Sequence, residues 1–203
     1  MSLLGSALVG ACSVVGIRSG SEQAPYQVIE RVGDTVEVRR YPERLAAEAV
    51  AERAARNQAF GLLFAYISGA NRSSAKIAMT VPVAVDQGSE TIAMTSPVAT
   101  AATPDGRYAM RFFLPASYTL ATAPAPNDPR VQIVSLPEAT VAALRFSGST
   151  NPGHVQARQQ ELLQLLEGSA WRPVEAPVAL FYDPPWTLPF LRRNEVTVAV
   201  EAG

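Results

Sequence analysis

The chain has 203 residues, 48% hydrophobic and 17% charged, with a formal net charge of −1 at pH 7. That balance is globular rather than disordered, and it supplies no basic block for tracking nucleic-acid phosphates. The lone cysteine, Cys12, and the lone histidine, His154, exclude an intramolecular disulfide and metal sites built from several Cys or His.

Residues 1–17 contain no Lys, Arg, Asp or Glu, and the run from Leu3 ends in Val9-Gly10-Ala11-Cys12. Small residues before a cysteine match a bacterial lipoprotein export signal. That reading makes Cys12 the lipidated residue and the product periplasmic or membrane-anchored. The first basic residue is Arg18, so the basic start of a typical signal is missing, and a frayed apolar N-terminus on a cytoplasmic protein stays open. No apolar run reaches the roughly 18 residues of a spanning helix. Residues 18–25 read as a linker, and 26–203 as one domain.

From Tyr26 the pattern becomes ordered. Val32-Gly33-Asp34-Thr35 carries turn chemistry, and Val36–Tyr41 alternates as a strand closed by Pro42. Residues 44–52 read as a second extended stretch, though their alanines also permit a helix. Phe60, Leu63, Phe64 and Ile67 then fall on one helical face, and Gly69 stops the helix. Ile77–Val85, Thr91–Thr100 and Tyr108–Pro115 read as extended. Residues 115–129, rich in Pro, Ala and Thr, read as a surface connection. Val131–Leu136 and Val141–Ser147 are strands. Asn151-Pro152 opens a second helix, because Asn caps and Pro fits the first helical position. Val155, Leu162, Leu163 and Leu166 give its apolar face before Gly168. Val178–Tyr182 and Glu195–Val200 are the closing strands.

Both halves thus read strand, strand, helix, strand, strand. Two such halves imply an α+β fold: a duplicated unit whose antiparallel sheet curls toward a distorted β-barrel with two flanking helices. A shorter repeat is also present. Ile77-Ala78-Met79-Thr80-Val81-Pro82-Val83 recurs as Ile92-Ala93-Met94-Thr95-Ser96-Pro97-Val98. The prolines predict an edge, bulge or bend.

Several segments, in this order, resemble the SOUL haem-binding family. They are Val36-Glu37-Val38-Arg39-Arg40-Tyr41, Tyr66–Asn71, Lys76–Val83, Met110–Pro115 with Pro124–Asp128, and Tyr182–Pro185 with Arg192–Val196. The resemblance spans roughly residues 26–201, and the doubled Met-Thr-x-Pro-Val segment is similar to the bacterial branch. It implies a distorted barrel related to effector-binding domains. It further implies non-enzymatic binding of haem or another tetrapyrrole, as a carrier, buffer or sensor.

Some family members carry a histidine where this chain has Arg40, and a guanidinium has no lone pair for iron. Arg40 instead suits a propionate, or is an ordinary sheet-face arginine. Met79 and Met94 are either porphyrin contacts or core fillers. Phe60, Leu63, Phe64 and Ile67 are candidates to line an apolar groove, or are simply the core contact of their helix. Arg193 is a second propionate candidate, or part of a structural ion pair. His154, at a helix start, is a weak axial-ligand candidate and otherwise a surface histidine. The competing function is an effector- or partner-binding module of the same fold with no tetrapyrrole. No Gly-x-Ser-x-Gly elbow, P-loop or dinucleotide fingerprint supports an enzyme.

Overall fold

A computed structural model describes residues 22–52, 55–73, 89–103, 105–184 and 186–203. Among these residues it is a mixed α+β structure with two α-helices and one large antiparallel sheet. The chain enters through β1 (Glu22–Gln23), β2 (Gln27–Val32), β3 (Val36–Tyr41) and β4 (Arg44–Ala51). Gly33, at φ +58°, makes the β2–β3 turn that the sequence placed there. The 44–52 stretch, open between strand and helix in the sequence, is a strand.

Helix α1 (Arg56–Ile67) follows, and Gly69 at φ +113° turns the chain out of it. Two-residue strands β5 (Asn71–Arg72) and β6 (Thr95–Ser96) flank the next long stretch; then come β7 (Val98–Ala102) and β8 (Tyr108–Phe113). Pro97 falls between β6 and β7, the bend its chemistry predicts. The first copy of the short repeat, Met79 included, lies outside the described residues.

The second half contains β9 (Ala125–Pro126), β10 (Val131–Leu136), β11 (Ala139–Phe146), α2 (Pro152–Leu166), β12 (Trp171–Pro173), β13 (Val178–Phe181) and β14 (Asn194–Ala202). Helix α2 starts as its sequence dictates. Pro152 occupies the first turn, and the Asn151 side chain accepts the His154 backbone N–H at 2.8 Å.

The large sheet runs β10-β4-β8-β7-β13-β14-β11-β3-β2, with β12 added on β14. Cross-strand partners share a face, so the pairing divides its side chains into two sets. One set packs under the helices. Leu45, Ala47, Met110, Phe112 and Val131 meet α1, while Val36, Val38, Leu144, Val196 and Val198 meet α2. The opposite face carries Ala46, Ala99, Phe113, Leu180 and Tyr182.

Among the described residues no helix covers that second face, yet it is buried because the sheet curls onto itself. Strands β3 and β4 lie at nearly opposite ends of the strand order, yet only Pro42 and Glu43 join them. Three Cα–Cα steps reach at most about 11 Å, so the sheet's two flanks must meet there. Strands β10 and β11, joined by Pro137 and Glu138, impose the same condition.

The expected closed barrel is not found. Strands β10 and β2 end the sheet, and no ladder joins its flanks among the described residues. Covalent links hold the flanks together at one end. At the edge, β2 is largely exposed and a register shift between Val28 and Glu30 interrupts its pairing, a common way to blunt an edge strand.

Candidate functional site

Helix α1 supplies the first element. Its buried seam is Ala59, Leu63, Tyr66 and Ile67, at i, i+4, i+7 and i+8. Phe60 and Phe64 sit on the flank of that seam. They are 39% and 49% exposed, against 0% for Leu63. Their rings stack with centroids 6.1 Å apart, and Phe60 meets Phe112 of β8 edge-on at 5.3 Å. Two parallel, half-exposed aromatic rings anchored on a packed strand form an apolar platform.

The end of α1 is fixed by Asn71, which is 1% exposed. Its amide donates to the Tyr66 carbonyl at 2.7 Å and the Glu90 carbonyl at 2.8 Å, and its oxygen accepts the Glu90 N–H at 3.0 Å. Tyr66 donates to the Pro124 carbonyl at 2.9 Å. The Tyr118 hydroxyl binds the Glu90 carboxylate, and burial beside that charge pushes the phenol up to about 12.

The curled face supplies the second element. Glu195 of β14 is fully buried. It accepts from Arg39 at 2.7 and 3.2 Å, from Arg193 at 2.8 and 3.1 Å, and from the Tyr182 hydroxyl at 2.7 Å. Burial alone would raise its pKa, but these donors hold it below the usual carboxylate range. Glu37 pairs with Arg39 at 2.9 Å and with Arg31 at 2.7 Å. Arg111 pairs with Glu48 at 2.6 Å. Burial raises the Tyr182 and Tyr41 phenols.

At the β3–β4 link, a groove of about 270 Å³ opens beside Arg44, Leu45, Phe113 and Leu114. It falls below the roughly 300–1,000 Å³ typical of small-molecule sites. At that size it is too small to enclose a macrocycle.

The residues singled out in the sequence do not converge on one pocket. Arg40 is exposed on β3, on the side opposite Arg39 and Tyr41, because strand side chains alternate. Arg193 lies on the curled face, bound to Glu195 and stacked on Tyr182 at 4.0 Å. Met94 is 41% exposed just before β6. His154 is half-buried on α2, with its ring against Phe146 at 5.6 Å and its Nε2 buried. Among the described candidates, only Phe60 and Phe64 share an exposed surface; Leu63 and Ile67 belong to the buried seam of α1. Cys12 lies outside the described residues. Among the described residues, no group of three or more His, Cys, Asp or Glu is arranged to hold a metal ion.

The structural ion pair read as the alternative for Arg193 is present, with Glu195; sequence reasoning missed that Arg39 and Tyr182 join it, and missed the groove at Arg44. The alternation of Glu37, Arg39 and Tyr41 on one strand face was the available signal.

The chain is thus an α+β domain with a curled sheet, helices on one face and a pair of half-exposed aromatic rings on α1. The chain belongs to the SOUL heme-binding protein family, whose model matches residues 21–199. The fold is similar to the crystal structure of the EcmrR C-terminal domain. That likeness has 11% identity and a TM-score of 0.57, and covers 88% of this chain and 99% of that one. A hydrolase from Listeria innocua is also similar, at 13% identity and a TM-score of 0.53, covering 82% and 92%. At such identities the likeness concerns the fold alone. No curated protein matches the sequence.

Proposed function

We propose that this protein is a non-enzymatic binder of haem or a related tetrapyrrole, with the macrocycle lying on the Phe60–Phe64 platform. Family membership supports the ligand class. The observation that carries the site is the pair of stacked, half-exposed rings of Phe60 and Phe64, anchored through Phe60 on Phe112. Burying about 300 Å² of porphyrin at about 25 cal/mol/Å² yields about 7.5 kcal/mol before association costs. Micromolar affinity needs about 8 kcal/mol net, so stacking on aromatic faces must add to burial. Arg40 is the propionate candidate, since the Arg193 guanidinium is already bound to Glu195 and Gln23; Met79 and Met94 are candidates for further contact. A hemin titration of the purified protein tests this reading. A saturable Soret change supports it, and none at all leaves the second reading ahead.

That second reading is an effector-binding module with no tetrapyrrole, and the groove beside Arg44 favours it. Two finer readings accompany the first. The protein is an exported lipoprotein modified at Cys12. Its two halves are copies of one unit, which the strand order supports: exchanging β3 with β10, β4 with β11, β7 with β13 and β8 with β14 reproduces the eight-strand run from β10 to β3 in reverse.

A further inference from the structure

The groove at the β3–β4 link contains a cation with a property its neighbours lack. Four arginines, Arg39, Arg44, Arg111 and Arg193, lie on or beside the curled face. Three have a carboxylate within 2.9 Å. Arg44 has none among the described residues, and its Nε is buried without a hydrogen-bond partner. Its guanidinium lies over the Tyr41 ring at 4.1 Å and the Phe113 ring at 5.1 Å. Rings held against a guanidinium face leave its edge to make hydrogen bonds. A partly buried cation that has left water needs an opposite charge to offset its desolvation.

We propose that Arg44 and this groove form a binding site for a small monocarboxylate with an apolar body. The guanidinium edge matches a carboxylate in two-pronged geometry. Leu45, Phe113 and Leu114 give the rest of the molecule apolar walls. The volume of about 270 Å³ limits it to a small acid. Glu22 and Glu43 also line the groove. They are tied to the Ala116 N–H at 2.9 Å and the Ser135 hydroxyl at 2.5 Å. Their charge repels a second carboxylate, so dicarboxylates are disfavoured. No residue lining the groove belongs to α1, which makes this site separate from the aromatic platform.

Calorimetric titration of the full chain with 4-phenylbutyrate, its neutral amide and glutarate tests the assignment. The acid binds saturably, while the amide and the dicarboxylate bind about tenfold or more weakly, the scale of one lost charged hydrogen bond. Arg44→Met weakens the acid by the same factor and leaves a hemin titration unchanged. If circular dichroism shows Arg44→Met unfolded, Arg44→Lys, which keeps the charge without the planar fork, must weaken the acid several-fold. No heat with the acid at millimolar concentration, equal binding of acid and amide, or unchanged binding by the folded variant overturns the assignment.

Discussion

Arg39 and Glu195 form a two-pronged ion pair across 156 positions of the chain, with Nη1 2.7 Å from Oε2 and Nη2 3.2 Å from Oε1. Their strands, β3 and β14, are not paired with each other; both flank β11. The pair therefore bridges over one strand on the buried face. Arg193 and Tyr182 complete the shell around the carboxylate.

Removing that carboxylate leaves two guanidiniums largely out of water. Glu195→Gln is expected to cost about 3–5 kcal/mol, as breaking a buried pair from one side does. Urea unfolding at neutral pH measures it. The folded carboxyl sits below its ordinary value of 4.5. Its contribution is therefore fully present above about pH 4.5 and is lost as pH falls through the lower folded value. The wild type should lose stability in that acid window more steeply than Glu195→Gln. Equal stability of the two proteins at neutral pH would show that the pair does not hold this face together.

Legibility in the sequence followed side-chain chemistry. The α2 start was readable because Asn151 and Pro152 act locally. The α1 face was only partly readable. Periodicity grouped Phe60, Leu63, Phe64 and Ile67, but the seam is centred on Ala59, Leu63 and Tyr66. Alanine adds little hydrophobic signal, and tyrosine reads as half polar, so the apparent face rotated toward the phenylalanines. Strand β12 and the short pairs β1–β6 and β5–β9 lack a periodic pattern because two or three residues cannot show one. The buried ion network was hidden for another reason. Arg39 and Arg40 are chemically identical neighbours, and only long-range pairing decides which one enters the curled face.

The same rotation gives a test of α1. Leu63→Ala should cost about 2–5 kcal/mol, the range for emptying a packed core site. Phe64→Ala, at 49% exposure, should cost about 1 kcal/mol or less. Paired urea curves decide it, and a larger loss for Phe64→Ala would place the seam on the wrong side of the helix.

Export through Cys12 is checked by fractionation and mass. Expressed from the full gene in a Gram-negative host, the wild type should reach the membrane fraction with a lipidated N-terminal cysteine. Cys12→Ala should remain unlipidated. An unmodified, cytosolic wild type contradicts the export reading.

His154 separates iron ligation from surface stacking. Its Nε2 is buried, and its ring packs on Phe146. His154→Ala should leave hemin affinity within a few-fold, measured by absorbance. Loss of the Soret change in a folded His154→Ala protein would move the site to α2.

The most direct measurement is a hemin titration of the wild type beside Phe60→Ala/Phe64→Ala, with melting temperature followed in parallel. At 100 times its dissociation constant, ligand adds about 2.7 kcal/mol, or about 5–10 °C for a domain of this size. The wild type should show a saturable Soret band with that shift. The double variant should stay folded and lose about tenfold or more in affinity, since stacking on each ring contributes about 0.5–1.5 kcal/mol beyond burial. A folded double variant that binds hemin as tightly as the wild type would contradict the α1 platform as the tetrapyrrole site.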